Sequence, residues 1–340
     1  MLLTPAEVES LTGLRHGSPH SLLGLHPLGD GTGMVGRAHL PGAQEVEIVP
    51  VHEKTVPVLK LKRVGDTDLF EGVTRGAKRV YAYDLRVKWA NGQVSQGRDP
   101  FSFWPTVGDT DLHLFNEGNH RRLYDVLGAH LKNLDGVLGT SFSVWAPNAQ
   151  RLSVVGDFNA WDGRRHPMRR LGTSGVWEIF VPGVGEGALY QFEMVDAHGK
   201  VSVKTDPFGF AFENPPKHAA IVWDTAKHSW NDGAWLKRRR ETNLLRSPVS
   251  IYEVHAGSWK KKSASESPGY RELAGAMVDY VRKMGFTHVE FLPLAEHAFY
   301  PSWGYQVTGF YAPTARYGTP DDLQFLVETF HDAGIGVIVD

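Results

Sequence analysis

The stretch 319–340, "TPDDLQFLVETFHDAGIGVIVD", decides how the chain folds. Thr319 can cap a helix, Pro320 suits its first turn, and Asp322 completes a capping box. Leu323, Leu326, Val327 and Phe330 recur at helical spacing and predict a buried stripe. Gly334 stops the helix, and "GVIVD" at 336–340 reads as a strand. The same pattern lies upstream. "VSIYEV" at 249–254 and "THVEFLPL" at 287–294 read as strands. Between them "YRELAGAMVDYVRKMG" at 270–285 predicts a helix whose face is Leu273, Met277, Tyr280 and Met284, ended by Gly285. Strand, helix, strand, helix, strand opens an α/β fold with parallel strands. In a (β/α)8 barrel the loops after the strands carry the active site. Three strands against eight lead us to expect a portion of a longer polypeptide. A small open α/β domain is the alternative.

The first two-thirds of the chain hides a duplication. "LLGLH" at 22–26 answers "VLGAH" at 126–130, and "RVYAYDL" at 79–85 answers "LYQFEM" at 189–194. "NGQV" at 91–94 answers "HGKV" at 198–201, and "DPFSFWP" at 99–105 answers "DPFGFAF" at 206–212. Landmarks in one order, about 107 residues apart, indicate two copies of a module of domain size. Both alternate with period two between Gly, Pro, Asn and Asp turns, which predicts immunoglobulin-like all-β sandwiches. Helical periodicity is nearly absent there beyond the first ten residues. "GTGMVG" at 31–36 matches G-x-G-x-x-G, but the following "RAHLPG" offers no helix, so it reads as a hairpin turn and not a dinucleotide site.

The expected organisation is an N-terminal extension (1–16), β-sandwich module 1 (17–108), β-sandwich module 2 (109–223), a linker (224–248) and the start of a (β/α)8 barrel (249–340). The linker holds "LKRRR" at 236–240, read as a solvated face.

Composition narrows the chemistry. The 340 residues carry a formal charge of −2 and 22% charged residues, which favours neither nucleic acid nor an anionic membrane as partner. There is no cysteine, which excludes disulfides and thiol catalysis. No run of eighteen apolar residues predicts a membrane span, and the start lacks the pattern of a signal peptide. A cytoplasmic, monomeric protein is expected. No H-E-x-x-H occurs, and neither a metal nor a cofactor is expected.

Residues 300–323, "YPSWGYQVTGFYAPTARYGTPDDL", hold six aromatic rings. Sugars, with apolar faces and hydroxyl rims, are one use for such surfaces. Tyr305 stands out, because Gly304 beside it leaves room for a ligand. Phe310 and Tyr317 are expected to pack. Retaining glycoside chemistry needs two carboxylates about 5 to 5.5 Å apart. Asp321 and Asp322 suit the helix start, and Glu253 and Glu290 lie within strands and are expected to face helices. Glu296 and Asp340 sit at or beyond strand ends, but neither has an evident partner carboxylate. His255 and His297 follow strands and could face one cleft. In "GDFNAWDG" at 156–163, an exposed Trp161 could stack on a sugar whose hydroxyls bond Asn159 and Asp162; a structural role for the tryptophan is the competing reading.

"YEVHAGSW" at 252–259, "FLPLAEHAF" at 291–299 and "SWGYQVTGFYAPTARYGTPDDL" at 302–323 resemble bacterial glycogen branching enzymes of the α-amylase-like group. "VWAPNAQRLSVVGDFNAWDG" at 144–163 resembles their starch-binding-like module. The likeness covers roughly residues 17–340. It implies transfer of an α-1,4-glucan segment to a 6-hydroxyl by a retaining double displacement, with glycogen or maltooligosaccharides as partners. It implies that the catalytic Asp and Glu come from later strands, so these residues alone are expected to be inactive. Tyr305 matches an aromatic that stacks on the sugar at the cleavage subsite, and Asp340 an acid beside it. His297 and Trp303 match residues lining the cleft. Module 1 lacks a "GDFNxW"-like element at 50–62. A non-catalytic glucan-binding protein and the N-terminal part of a debranching enzyme are the alternatives.

Overall fold

The computed structural model describes residues 2–53, 55–263 and 266–340. It divides into two compact units, Met1–Thr205 and Asp206–Asp340.

The first unit contains the duplication up to Thr205, and its last landmark, "DPFGFAF" at 206–212, opens the second unit. Copy one is built from β1 (Gly24–Pro27), β2 (Met34–His39), β3 (Ala43–Pro50), β4 (Leu59–Arg63), β5 (Leu69–Thr74), β6 (Tyr83–Trp89) and β7 (Val94–Arg98), in spatial order β1-β2-β5-β4-β3-β6-β7. Copy two uses β8 (Gly128–Leu134), β9 (Val137–Trp145), β10 (Arg151–Gly156), β11 (Arg169–Arg170), β12 (Val176–Pro182), β13 (Leu189–Val195) and β14 (Val201–Lys204). Its sheets run β8-β9-β12-β11 and β10-β13-β14, the same order with one join missing. Both are β-sandwich-like modules. The sequence landmarks become matching local structures. Gly24 and Gly128 both take positive φ, at 95° and 102°. His26 and His130 each bond the carbonyl three residues back, Leu23 and Leu127. Asp99 and Asp206 each accept from the N–H two residues on.

Copy one packs Met34, Val46, Ile48, Phe70 and Tyr83 inside, and copy two buries Phe142, Val154, Trp177 and Tyr190. The "GTGMVG" segment is the β1–β2 hairpin, closed by Leu28 N–H donating to Gly33 O at 2.9 Å. Two helices flank the strands. α1 (Pro5–Thr12) is capped by Thr4 and Glu7, and α2 (Asp109–Asn116) fills a region in which no helix is predicted.

The second unit begins with a short pair, β15 (Ala211–Phe212) and β16 (Ala220–Ile221), then the basic α3 (Gly233–Glu241). Strands β17 (Ile251–Val254), β18 (His288–Phe291) and β21 (Gly336–Val339) form a parallel sheet in that order. α4 (Ala256–Trp259) and α5 (Tyr270–Met284) lie between the first two strands in sequence, and α6 (Pro320–Asp332) precedes the third. These are the elements that open a (β/α)8 barrel. Thr319 and Asp322 form the predicted capping box of α6, and Gly285 ends α5 in the left-handed conformation at φ 81°. The predicted face of α5 needs correction. Its buried residues are Tyr270, Leu273, Ala274, Met277, Val278 and Val281, whereas Tyr280 and Met284 are 38% and 56% exposed.

Val254, Val289 and Phe291 join α5 and α6 in one apolar core. Strand side chains alternate, so Glu253, Glu290 and Ile338, which share one register row, point to the opposite face. The expectation that Glu253 and Glu290 face the helices is therefore wrong. Among the described residues no helix is long and apolar enough to cross a membrane.

Asp99 shows what burial does in module 1. It is 1% exposed, accepts from the Tyr83 hydroxyl at 2.6 Å, and its carboxyl is raised to about 6 because desolvation outweighs the hydrogen bonds. A raised carboxyl favours folding most below its unfolded value near 4 and loses that contribution as pH climbs through about 6. The Asp99 carboxyl carbon should titrate by NMR with a midpoint near 6, and Tyr83→Phe, which deletes a donor to the carboxylate, should move it higher.

Candidate functional site

The site lies at the C-terminal ends of the parallel strands. The chain after β18 is not an open loop. It folds as an antiparallel hairpin of β19 (Ala295–His297) and β20 (Val307–Pro313), with register shifts on either side of Glu296. Glu296, 3% exposed, holds this hairpin together. It accepts from the Ala315 N–H at 2.7 Å, the Thr314 hydroxyl at 3.2 Å and the Arg316 guanidinium at 2.9 Å. Arg316 also donates to the carbonyls of His297 and Ala298. Glu296 is thus fully engaged in structure, which removes it as a free carboxylate.

The hairpin carries the aromatic residues. Trp303 and Tyr305 are 57% and 56% exposed. Trp303 sits at φ 56°, an uncommon conformation for a bulky residue and the kind that clusters at functional sites. Gly304 has a structural reason that replaces the expected ligand space. Its φ is 93°, and a Cβ there would come within 2.4 Å of the Pro293 carbonyl oxygen. Phe310 is 73% exposed, against the expectation that it packs, whereas Tyr317 is buried.

The Tyr305 phenol donates to Asp340 Oδ2 at 2.5 Å. That bond, with further contributions from burial and the carboxylates of Asp340, Glu253 and Glu290, pushes the phenol up to about 12. Asp340 follows β21, and its N–H donates to Phe291 O. Two predicted site residues are therefore joined directly.

His255 brings a second cluster together. Its ring lies 6.1 Å from that of Trp303 and 6.2 Å from that of Tyr300. Burial lowers its pKa, and electrostatic interaction with His297 lowers it further. His297 is 2% exposed, its Nδ1 bonds the Ala295 carbonyl, and its buried Nε2 has no hydrogen-bonding partner among the described residues. Sequence reasoning missed Tyr300 as part of this group. Gly257 in "HAGSW" is the available signal, since a Cβ there would meet the hydroxyls of Tyr317 and Tyr300 at 2.3 and 3.1 Å. Asp322 serves the helix start as expected, whereas Asp321 is engaged by side chains from outside the helix. Asp322 accepts from Thr319, and Asp321 accepts from the Trp223 indole. No group of three or more potential metal ligands occurs among the described residues.

Trp161, in the first unit, is 41% exposed and follows Ala160, both at positive φ. Phe158 is turned toward the core and stacks on Phe142 at 5.8 Å. Asn159 is not available to a sugar. It is 2% exposed, accepts from Gly156 N–H, and donates to Val154 O and to His166 Nδ1. Burial lowers His166 to about 4, so it is neutral and accepts that bond. Asp162 is paired with Arg164 at 2.7 Å. The tryptophan face is what this turn leaves exposed.

Residues 4–101 match the family described as alpha-1,4-glucan branching enzyme GlgB, N-terminal domain. Residues 126–209 match carbohydrate-binding module 48, the isoamylase N-terminal domain. The chain is 48% identical over 339 residues to the 1,4-alpha-glucan branching enzyme GlgB of Myxococcus xanthus, covering 98% of this chain and 45% of that protein. It is 50% identical over 326 residues to the enzyme of the same name from Rubrobacter xylanophilus, covering 96% and 44%. The chain thus spans a little under half the length of these relatives. A solved structure from Salmonella typhimurium, provisionally described as an alpha amylase, matches with TM-score 0.50 and 25% identity over 63% of this chain and 32% of that one.

The Tyr305–Asp340 bond makes a direct prediction. Asp340→Asn should return the Tyr305 phenol from about 12 toward the ordinary tyrosine value near 10. The Tyr305 ring-carbon shift, followed by NMR up to pH 11.5, reads this out; a variant that still shows no midpoint in that range would remove Asp340 as the cause.

Proposed function

We propose that this chain, a homologue of the bacterial 1,4-alpha-glucan branching enzymes over their N-terminal portion, serves the cleavage of an α-1,4-glucan and its transfer to a 6-hydroxyl. The observation that carries the reading is the Tyr305–Asp340 pair at the strand ends, beneath exposed rings on a rigid hairpin. Tyr305 offers the bound sugar a flat face, and the hydrogen bond to Asp340 fixes its tilt. Trp303 extends that surface. His297 Nε2 is a buried polar atom with capacity for a ligand hydroxyl. Asp340 has a second carboxylate oxygen for the same sugar.

The reaction class is a retaining double displacement, with an Asp nucleophile and a Glu acid–base on either side of the bond. Among the described carboxylates near the site, Glu296 is bound in structure, and Glu253 and Glu290 stand next to last in their four-residue strands. The likeness to the α-amylase-like retaining enzymes is what assigns that pair to later strands of such a barrel. Trp161 is proposed as a glucan contact of the second module, within the modular organisation 17–108, 109–223, 224–248 and 249–340. A cytoplasmic, monomeric protein acting on glycogen or maltooligosaccharides completes the proposal. A debranching activity is the second reading, on the strength of the isoamylase-type module at 126–209.

In the enzyme that contains this chain, amylose treatment should create new α-1,6 points, revealed as short chains after isoamylase digestion; loss of existing points would favour debranching. Tyr305→Ala should cut kcat by roughly 10²-fold, about 2.7 kcal/mol. Tyr305→Phe keeps the stacking face and should cost less. Equal losses would move the role from ring to hydroxyl, and a near-normal kcat for Tyr305→Ala in a folded enzyme would make the ring scaffold. Trp161→Ala should weaken maltooligosaccharide binding several-fold at unchanged melting temperature; unchanged binding would leave Trp161 a structural residue.

A further inference from the structure

The segment joining the two β-modules presents Trp104, at 88% the most exposed tryptophan among the described residues. Leaving so large an apolar face in water forgoes the stabilisation that burial would give. The ring is not on a loose tether. The Phe103 carbonyl accepts from Arg169 at 2.8 Å, and the Phe103 ring meets Phe180 edge-on at 4.7 Å. On the other side, Thr106 donates its N–H and its hydroxyl to Glu178, at 3.3 and 2.8 Å. Glu178 is fully buried and paired with Arg169 at 2.8 Å. Pro105 follows and restricts the backbone of Trp104 to extended conformations. The fold therefore pins the residues around Trp104 while keeping its side chain in solvent.

A groove of about 590 Å³ runs beside this ring. That is within the range of roughly 300–1,000 Å³ usual for small-molecule sites. Its far wall is the β8–β9 hairpin, which supplies Lys132, Asn133 and Asp135. Asp135 and Gly136 take φ of 51° and 82°, the pattern of a tight two-residue hairpin turn, so this wall is stiff as well. Tyr81 also lines the groove. It is 7% exposed, and its hydroxyl has no hydrogen-bonding partner among the described residues. A hydroxyl withdrawn from water without a partner costs about 1–3 kcal/mol, which a ligand oxygen would relieve. The charged groups around the groove are mixed in sign, Arg98 and Lys132 against Asp135, which suits a neutral polar ligand better than an anion.

We propose that this groove is a second α-glucan-binding site, in which Trp104 stacks on a pyranose face and Tyr81 with the Lys132–Asp135 wall bonds sugar hydroxyls. The choice of an α-1,4-linked chain rests on the function proposed above. The site is separate from both Trp161 and the strand-end cluster, and module 1 contributes to it through Tyr81 even though that copy lacks a counterpart of Trp161.

Calorimetric titration of the 340-residue chain with maltoheptaose tests this. Two sites on the β-modules are expected, read in a Tyr305→Ala background that removes the contribution of the strand-end cluster. Trp104→Ala should weaken one of them at least 10-fold, about 1.4 kcal/mol, without lowering the melting temperature. Tyr81→Phe should weaken the same site several-fold while leaving stability unchanged or higher, since it deletes an unsatisfied hydroxyl. Trp161→Ala should spare it. If Trp104→Ala and Tyr81→Phe both titrate like that background while Trp161→Ala loses binding, the groove is not a glucan site and the proposed function stands. Absence of any binding by the unmodified chain would overturn both readings of the β-modules.

Discussion

Everything proposed for the strand-end site depends on one buried carboxylate. Glu296 has lost its water, and a buried ion is tolerated only when it is paired and its lone pairs are met. The Arg316 guanidinium and the backbone and hydroxyl donors of residues 314–315 meet them. Satisfying that charge forces residues 295–316 to turn back on themselves. The turn is what raises Tyr300, Trp303 and Tyr305 above the strand ends. Truncating Glu296 would strand Arg316 as a half-buried cation, so the position and the loop's shape are inseparable.

Sequence periodicity carried the second unit a long way. The caps of α6 and the stop at Gly285 are local chemistry, settled by residues within one turn, and they were readable without a structure. The face of α5 was not. Tyr280 continues an apolar stripe from Leu273 and Val278 one from Ala274, and only the position of the sheet chooses Val278. Glu253 and Glu290 were misplaced for a related reason. A four-residue strand with one acid does not say which side its helices cover. The hairpin after β18 was hidden because "AEH" is too short to alternate, and its register is set by Glu296 rather than by an apolar pattern.

The duplication was legible because its landmarks are backbone requirements. A glycine at positive φ, a histidine bonding back three residues and an aspartate closing a turn each permit few substitutes. The comparison of copies also held a signal that went unread. "DPFSFWP" places Trp104 where "DPFGFAF" places Ala211, which is 4% exposed. A small buried residue in one copy against a large solvent-facing ring in the other marks a position released from packing.

The two copies also differ in how their sheets meet. β4 has five residues and bonds to β3 as well as β5, so module 1 is laced shut along one side. Among the described residues its counterpart β11 has two residues and bonds only to β12, with one isolated bridge, Ser153 to Pro167, across the gap. The Trp161 turn emerges from that gap. Lengthening a strand and displaying a loop compete for the same residues here. The duplicated plan has been resolved in opposite directions: one copy closes its seam with a full strand, and the other leaves the seam open and displays the Trp161 loop.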